Sequence, residues 1–265
     1  MARKIKFKLR TKPIDKRLAY AIPNAFTASS LICALVALNA ITVGNITQAC
    51  WLITISLILD GFDGRMARIL NATSKLGAQA DSLADFVAFG VVPGFLAWQI
   101  TLKNFGIIGF FVFILYVLCG GFRLARFNIL NTSHASKSDF MGLPIPAAAA
   151  AISSFVLFNS ILVTSHNIDN LLLIIMPLMS FLMVSTIPYL AVNKKHRKKR
   201  YLGLLFIGLP ILIILAIRFT VWVYLIAAWT YIGYGLFNLL KISIYKFNER
   251  QIYKKTRKAL NNDKS

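Results

Sequence analysis

Acidic side chains are scarce in this chain of 265 residues, which has 9 Asp and Glu against 30 Lys and Arg. Only 15% of its residues are charged and 57% are hydrophobic, whereas a soluble domain has about 25% charged and 45–50% apolar residues. This composition excludes a disordered polar chain and disfavours a soluble domain. Cysteine and histidine are also scarce, with 3 of each. The cysteines lie far apart in apolar runs, which argues against a disulfide framework or a zinc site.

Long apolar runs fill most of the chain. A helix that crosses a bilayer needs about 20 mostly apolar residues, and eight runs approach that length. We therefore expect an all-α, polytopic integral membrane helix bundle with about eight transmembrane helices. The second run is short, and its helix can continue into the polar segment that follows. The predicted spans are Leu18–Val43, Ile46–Leu59, Leu76–Leu102, Phe105–Phe122, Ile145–Val163, Leu171–Val192, Leu202–Ile217 and Phe219–Leu240.

Basic residues mark one side of this predicted bundle. An eight-span chain places 28 of the 30 Lys and Arg in five segments on the same side. Short cytoplasmic loops are enriched in Lys and Arg, so we expect both termini at the cytoplasmic face of the cell (inner) membrane. The basic run Lys194–Arg200 is interpreted as a topology anchor that touches anionic lipid, not as a nucleic-acid-binding patch. The expected organisation is a basic segment over residues 1–17, a six-span core over 18–192, two further spans over 193–242 and a basic tail over 243–265.

Four of the acids lie at the facing ends of two consecutive spans. Asp60 and Asp63 are three residues apart at the end of the second span, and Asp81 and Asp85 are four residues apart at the start of the third. Residues at these spacings share one face of a helix, and the short connection predicts antiparallel neighbours. Ionisable residues at membrane depth usually face each other or a polar cavity. We therefore expect the four carboxylates to converge at the cytoplasmic side around divalent cations, Mg²⁺ or Mn²⁺.

Small and basic residues beside the acids fit a phosphate ligand. Gly61, Gly64 and Gly77 remove side-chain bulk, and Arg65 and Arg68 bring positive charge. Acids, cations and arginine together suit charge neutralisation of a diphosphate. Two alternatives remain open at this point. One is a salt-bridge cluster between the acids and the neighbouring Arg and Lys residues at the membrane boundary, and the other is the ion site of a cation-coupled transporter.

The spacing of these residues is distinctive. The segment Asp60-Gly-Phe-Asp63-Gly64-Arg-Met-Ala67-Arg68 is followed by eight residues and then by Gly77, Asp81 and Asp85 at intervals of four. This pattern, D-x2-D-G-x2-A-R-x8-G-x3-D-x3-D, resembles without a departure the signature of the CDP-alcohol phosphotransferases, integral membrane enzymes of phospholipid synthesis. Within that family, residues 22–27, 77–86, 122–128 and 142–147 most resemble bacterial-type enzymes whose acceptor is L-serine. The resemblance runs from about residue 18 to residue 165.

The resemblance implies a reaction and a role for each matching residue. The phosphatidyl group of CDP-diacylglycerol would pass to the hydroxyl of L-serine with release of CMP, in an enzyme expected to be a homodimer whose active site faces the cytoplasm. Asp85 would be the general base. One cation would be held by Asp60, Asp63 and Asp81, and a second by Asp60, Asp81 and Asp85. Gly64, Arg68, Ser74 and Gly77 would contact the CDP part, with Asn24 and Thr27 closing over the nucleotide.

Arg123 and Arg126 are the candidates for recognising the acceptor. They lie three residues apart in an apolar stretch at the inner end of the fourth span, and Arg suits bidentate recognition of a carboxylate. We predict that they bind the serine carboxylate or the lipid phosphate. The alternative is that they anchor the helix by snorkelling to the headgroups. Glycerol 3-phosphate and inositol phosphate are the alternative acceptors within the family, and because they carry a phosphate they are expected to need a denser basic pocket.

Overall fold

The computed structural model describes residues 16–70, 72, 74–132, 140–162, 171–186, 188–189, 221–238 and 240–241, and nearly all of them are helical. The helices are α1 (Lys16–Thr42), α2 (Ile46–Ile69), α3 (Lys75–Asp85), α4 (Val92–Ile100), α5 (Gly106–Thr132), α6 (Ile145–Leu162), α7 (Leu172–Val184) and α8 (residues 221–238). A π-helix, Phe86–Val91, joins α3 to α4, and a 3₁₀ turn, Leu102–Phe105, precedes α5. Strand pairing in this part of the chain is limited to β1 (Phe140–Met141) against β2 (Pro188–Tyr189).

Four helical stretches of the described chain are long and apolar enough to cross a membrane, namely Ala19–Thr42, Ile46–Ile69, Leu76–Ile100 and Leu102–Ile129. Helices α6 and α7 are shorter and also apolar. The fold is therefore a helix bundle of the multi-pass membrane type, as the composition predicted. The count of eight spans stays a prediction, because the predicted seventh span, Leu202–Ile217, lies outside the described residues.

Three helices end at places that differ from the predicted span limits. Helix α2 continues ten residues beyond Leu59, as far as Ile69, and so carries the first two acids on helical backbone. Helix α5 continues past Phe122 to Thr132. Helix α7 ends at Val184 and not at Val192, because Ser185 leaves the helical conformation with a ψ of 158° and the chain then enters the β pair.

Helices α1 and α2 form a tight antiparallel pair. The turn between them contains Gly44 at a φ of +83°, a conformation that favours glycine. Asn45 then caps α2, with its side-chain oxygen accepting a hydrogen bond from the Gln48 backbone N–H. Deeper in the pair, the hydroxyls of Ser30 and Ser56 lie 2.8 Å apart in a buried contact. Small and hydroxylated residues allow membrane helices to approach closely, and this approach sets the first half of α1 beside the acidic end of α2.

Helix α8 packs against α6. Trp222 meets Phe158 edge to face with ring centroids 4.8 Å apart, and the hydroxyls of Tyr224 and Ser153 are 2.6 Å apart. Ile232 is buried in the common apolar core. The predicted eighth span, Phe219–Leu240, thus contains a helix that belongs to the same packed body as the helices that carry the acids.

Candidate active site

The acid cluster forms where α2 ends and α3 begins. Asp60 and Asp63 project from α2 and Asp81 from α3, and one carboxylate oxygen from each lies within 4.8 Å of the others. Asp63 is only 5% exposed. Two causes account for this convergence. Residues three or four apart share one helix face, and the α2–α3 connection is short.

Asp85 joins the same cluster from one turn further along α3. Its carboxyl group lies within hydrogen-bonding range of the Asp60 carboxyl, and the carboxyl groups of Asp63 and Asp81 are paired in the same way. Two carboxylates at this range repel each other unless a cation or a shared proton lies between them. We define the acid cluster as Asp60, Asp63, Asp81 and Asp85.

The donor set of the acid cluster fits hard divalent cations. It offers carboxylate oxygens alone, the ligands that suit Mg²⁺ and Mn²⁺. One of those oxygens, Asp81 Oδ1, is buried and has no hydrogen-bond partner among the described residues. A buried oxygen without a donor is costly unless a cation satisfies it, so the residues present match the group that the sequence predicts here.

Thr27 orients one of the acids. Its hydroxyl lies 2.9 Å from Asp63 Oδ2 and donates to it across the α1–α2 interface. A hydrogen bond to a ligating carboxylate fixes the direction of that carboxylate. The sequence predicted Thr27 as a residue that closes over the nucleotide, and its contact with an acid was not foreseen.

A pocket of about 190 Å³ opens beside the acid cluster, between α1, the end of α2 and the start of α3. Asp63 and Asp81 form part of its wall, whereas Asp60 and Asp85 do not line it. All six residues predicted to contact the CDP part line this pocket, and their roles there stay a prediction. We call it the α1–α3 pocket; its lining is Pro23, Asn24, Thr27, Asp63, Gly64, Ala67, Arg68, Ala72, Ser74, Gly77, Ala78 and Asp81.

The start of α3 packs closely on α1 at Gly77. Ser74 caps the helix, with its hydroxyl accepting a hydrogen bond of 2.9 Å from the Gly77 backbone N–H. A Cβ added at Gly77 would lie 2.9 Å from Ser74 Oγ and 3.3 Å from Asn24 Oδ1. Gly77 therefore allows the cap and the Asn24 side chain to share one corner of the α1–α3 pocket.

Gly64 and Arg68 leave the opposite wall open. A Cβ at Gly64 would meet nothing within 4 Å, so the absent side chain leaves free space in the pocket. Arg68 Nε donates to the Gly64 carbonyl at 2.8 Å along its own helix.

Among the described side chains, Arg65 and Arg68 form no ion pair with the acid cluster, which disfavours the salt-bridge alternative. The side chain of Lys75 lies outside the described part.

Apolar side chains stand next in sequence to the pocket residues. Phe62, Ile69 and Leu76 are 46%, 71% and 77% exposed. Each neighbours a residue of the pocket lining, and Phe62 also stacks on Phe26 of α1 with ring centroids 6.2 Å apart. Exposed apolar side chains of this kind suit contact with lipid, and we call these three residues, which adjoin the pocket lining in sequence, the apolar rim.

The two candidate arginines have different surroundings. Arg123 is 7% exposed, lies over the Phe127 ring at 5.6 Å, and is close enough to Asp85 to interact with its charge. Arg126 instead donates to backbone carbonyls at the end of α7, at 2.8 Å to Val184 and 3.2 Å to Ser185. Arg123 is therefore within electrostatic range of one acid of the cluster, whereas Arg126 binds a helix terminus.

Gly142 shows how closely Arg126 is packed at that terminus. Its φ is +81°, and a Cβ there would lie 2.5 Å from the Met183 carbonyl oxygen and 2.8 Å from an Arg126 Nη atom. Only glycine fits this position, because an added side chain would meet backbone. The contact links β1, α5 and α7 on one side of the bundle.

Two features of the site had no counterpart in the sequence predictions. The first is the bond from Thr27 to Asp63, and the second is the π-helix that starts directly after Asp85. Proline at position 93 was the available signal for the second, because it lacks the amide hydrogen that a continuous α-helix would need there.

These observations define a multi-pass membrane protein with an oxygen-only acid cluster beside a pocket. A family model for CDP-alcohol phosphatidyltransferase matches residues 20–184, and the chain belongs to this family of transferases. The matched range includes all four acids and every residue that lines the α1–α3 pocket, and it excludes α8.

Curated relatives cover the same part of the chain. A Helicobacter pylori protein named CDP-diacylglycerol–serine O-phosphatidyltransferase is 45% identical over 171 residues, which cover 64% of this chain and 72% of that protein. A Bacillus subtilis protein of the same name is 37% identical over 170 residues, 63% of this chain and 89% of that protein. A Methanocaldococcus jannaschii protein of that name is 40% identical over 139 residues, 52% of this chain and 61% of its own length.

Proposed function

We propose that this protein transfers the phosphatidyl group of CDP-diacylglycerol to the hydroxyl of L-serine and releases CMP. The observation that carries the proposal is the gathering of three acids from two helices within 4.8 Å, two of which line a pocket large enough to admit part of a nucleotide. The names of the relatives support L-serine as the acceptor and CDP-diacylglycerol as the donor.

The acid cluster is proposed to hold two divalent cations, Mg²⁺ or Mn²⁺. Asp60, Asp63 and Asp81 would hold one of them, and Asp60, Asp81 and Asp85 the other. When bound, the cations supply positive charge to the diphosphate and to the departing CMP. The bond from Thr27 supports this assignment, because it holds the Asp63 carboxylate in a fixed direction.

The α1–α3 pocket is proposed to bind the CDP part of the donor. Gly64 leaves room for the ligand to approach the helix backbone, and the guanidinium of Arg68 adds positive charge to the same wall. On the facing wall, Ser74 and Asn24 offer polar side chains around Gly77. Thr27 reaches both the pocket and Asp63 and so connects nucleotide binding to the acid cluster.

Asp85 is proposed as the general base. It takes the proton from the serine hydroxyl, and the serine oxygen forms a bond to the phosphorus that carries diacylglycerol. The bond between that phosphorus and the oxygen of CMP breaks, so phosphatidylserine stays in the membrane and CMP leaves with the electron pair. A base has to reach the hydroxyl directly or through one water. Because Asp85 does not line the nucleotide pocket, serine would bind outside that pocket, next to Asp85.

Arg123 is proposed to bind the serine carboxylate. It is a nearly buried cation beside Asp85, and a buried charge is expensive without an ionic partner. The carboxylate of serine would supply a direct ionic partner next to the base. Arg126 was the second candidate, and its bonds to the end of α7 favour a role in holding helices together.

The reaction is proposed to take place at the cytoplasmic face of the inner membrane. The support is the distribution of Lys and Arg, which an eight-span chain with both termini inside collects on the side of the acid cluster. The eight spans, the division into a six-span core and two further spans, and the homodimer stay predictions of the sequence.

Release of CMP by the purified protein in detergent micelles tests the proposal. CDP-diacylglycerol is supplied with L-serine, glycerol 3-phosphate or inositol phosphate, each with Mg²⁺, with Mn²⁺ or with a chelator. Of the three acceptors, we expect only L-serine to give CMP release, and we expect the chelator to abolish that release. CMP with a phosphorylated acceptor would replace serine by that acceptor, and undiminished CMP after removal of all divalent ions would overturn the role of the acid cluster.

A further inference from the structure

The helix that carries Asp81 and Asp85 changes its winding directly after Asp85. Residues Lys75–Asp85 are α-helical, residues Phe86–Val91 form a π-helix, and the α-helix resumes at Val92. A π turn contains about one residue more than an α turn, and one residue corresponds to about 100° of rotation. The π-helix therefore determines which way Asp81 and Asp85 point relative to the buried face of α4.

Proline 93 explains why a regular α-helix is disfavoured at this place. In an α-helix the carbonyl of Phe89 would accept a hydrogen bond from the backbone N–H of residue 93. Pro93 has no N–H, so this bond cannot form. A buried carbonyl that loses its usual donor needs another one.

Tyr116 supplies a donor from another helix. Its hydroxyl lies 3.0 Å from the Phe89 carbonyl oxygen and donates to it in a fully buried contact. Tyr116 belongs to α5 and is 0% exposed. The bond therefore ties the π-helix to α5 at a depth where water is not available as a substitute.

Glycines keep the two helices in contact on either side of this bond. A Cβ at Gly94 would lie 3.1 Å from a ring carbon of Phe113 and 3.3 Å from one of Tyr116. A Cβ at Gly121 would lie 3.2 Å from the ring of Phe86, the first residue of the π-helix. The first residue of the π-helix and the first turn of α4 are thus both packed against α5, and the Tyr116 bond to Phe89 lies between these two contacts.

We infer that Tyr116 is a positioning residue for the acid cluster: its hydroxyl holds the π-helix in place and thereby fixes the direction in which Asp81 and Asp85 point toward a bound divalent cation. The inference rests on the cation-binding role given to the acid cluster under the proposed function. Tyr116 itself belongs neither to the acid cluster nor to the α1–α3 pocket.

The test measures binding of Mn²⁺ to the purified protein by electron paramagnetic resonance, without substrate and therefore without turnover. The variant is Tyr116→Phe, which removes the hydroxyl and keeps the ring. The control is Tyr224→Phe, which removes a part-buried tyrosine hydroxyl with a 2.6 Å contact, between α8 and α6. We expect the Mn²⁺ concentration for half-saturation to rise about tenfold in Tyr116→Phe, the lower end of the range for residues that orient metal ligands, and to stay at the wild-type value in Tyr224→Phe.

Kinetics supply a second measurement that a purely structural role would not move. In Tyr116→Phe we expect kcat to fall at limiting Mn²⁺ and to recover at high Mn²⁺, with an unchanged KM for CDP-diacylglycerol. Wild-type Mn²⁺ affinity in Tyr116→Phe, or an equal loss in both variants, would overturn the inference and leave the proposed function intact. Absence of Mn²⁺ binding by the wild-type protein would overturn the proposed cation site and this inference with it.

Discussion

The acid cluster has two sides, and they differ in openness and in the burial of the nearby arginine. On one side Asp63 and Asp81 face the α1–α3 pocket, which is lined by small residues, hydroxyls, one amide and the exposed Arg68. On the other side Asp85 lies near Arg123, a cation that is almost completely buried. The open side suits a large nucleotide, and the closed side with its buried cation suits a small acceptor that carries a carboxylate. The contrast supports a division of the two proposed substrates between the two sides.

The two sides also depend on different parts of the chain. The pocket side comes from α1, α2 and α3, whose residues are consecutive in sequence and close in space. The Arg123 side comes from α5, almost forty residues after Asp85, and depends on how α5 packs on the π-helix. Experiments that affect one side and spare the other therefore test the division directly.

Loss of the base should have the largest effect. We expect Asp85→Asn to lower kcat about 10³-fold, within the range for general acid–base groups, and to leave binding of CDP-diacylglycerol largely intact. The measurements are CMP release and equilibrium binding of the lipid. Asp169→Asn is the control, because it makes the same change at an acid that the sequence places between two predicted spans. If lost binding were the main defect, the role of Asp85 would be only to hold a cation.

The two arginines offer the next comparison. We expect Arg123→Gln to raise the KM for serine by at least about 30-fold, because truncating a buried charge that pairs with a ligand costs ~2 kcal/mol or more. Arg126→Gln should lower the thermal stability, since it removes the donors at the end of α7, without changing the KM for serine. Initial rates at varied serine and a melting curve in detergent separate the two. An equal rise of the KM in both variants would contradict the division.

Removing the Thr27 hydroxyl should have a smaller effect. In Thr27→Val the Asp63 carboxylate loses a 2.9 Å hydrogen bond, and we expect the half-saturating Mn²⁺ concentration to rise about tenfold. Ser29→Ala on the same helix is the matched control, because the Ser29 hydroxyl is exposed and, within the described part of the chain, bonds only to the Ala25 carbonyl. The same Mn²⁺ affinity in both variants would show that Thr27 does not orient the acid.

The smallest effects are expected at the pocket glycines. Gly64→Ala places a methyl group in open space, so we expect a few-fold rise in the KM for CDP-diacylglycerol with unchanged stability. Gly77→Ala places it 2.9 Å from Ser74 Oγ, so the helix cap is strained and the melting temperature should fall. Melting curves and initial rates distinguish these results. If only Gly64→Ala lowered the melting temperature, Gly64 would be the tightly packed position and Gly77 the open one, contrary to the structure.

The sequence predicted the pocket side better than the Arg123 side for a physical reason. The acids and glycines between Asp60 and Asp85 lie on two helices joined by a short connection, so helical spacing alone brings them together. The long apolar runs likewise predicted the helical spans. Arg123 and Arg126 look equivalent in sequence, and only the packing of α5 on α7 separates the one near Asp85 from the one at a helix end. The π-helix escaped prediction because its cause is divided between Pro93 and Tyr116 on different helices.

The apolar rim beside the pocket has a consequence for kinetics. Since Phe62, Ile69 and Leu76 are exposed and adjoin the pocket lining in sequence, a donor with two acyl chains can arrive by lateral diffusion while its tails remain among the surrounding lipids. The protein then samples a two-dimensional concentration. Adding inert phospholipid at a constant total amount of donor lowers the mole fraction of donor in the membrane and should slow turnover. Diluting the same vesicles with buffer leaves that mole fraction, and therefore the turnover rate per enzyme, unchanged.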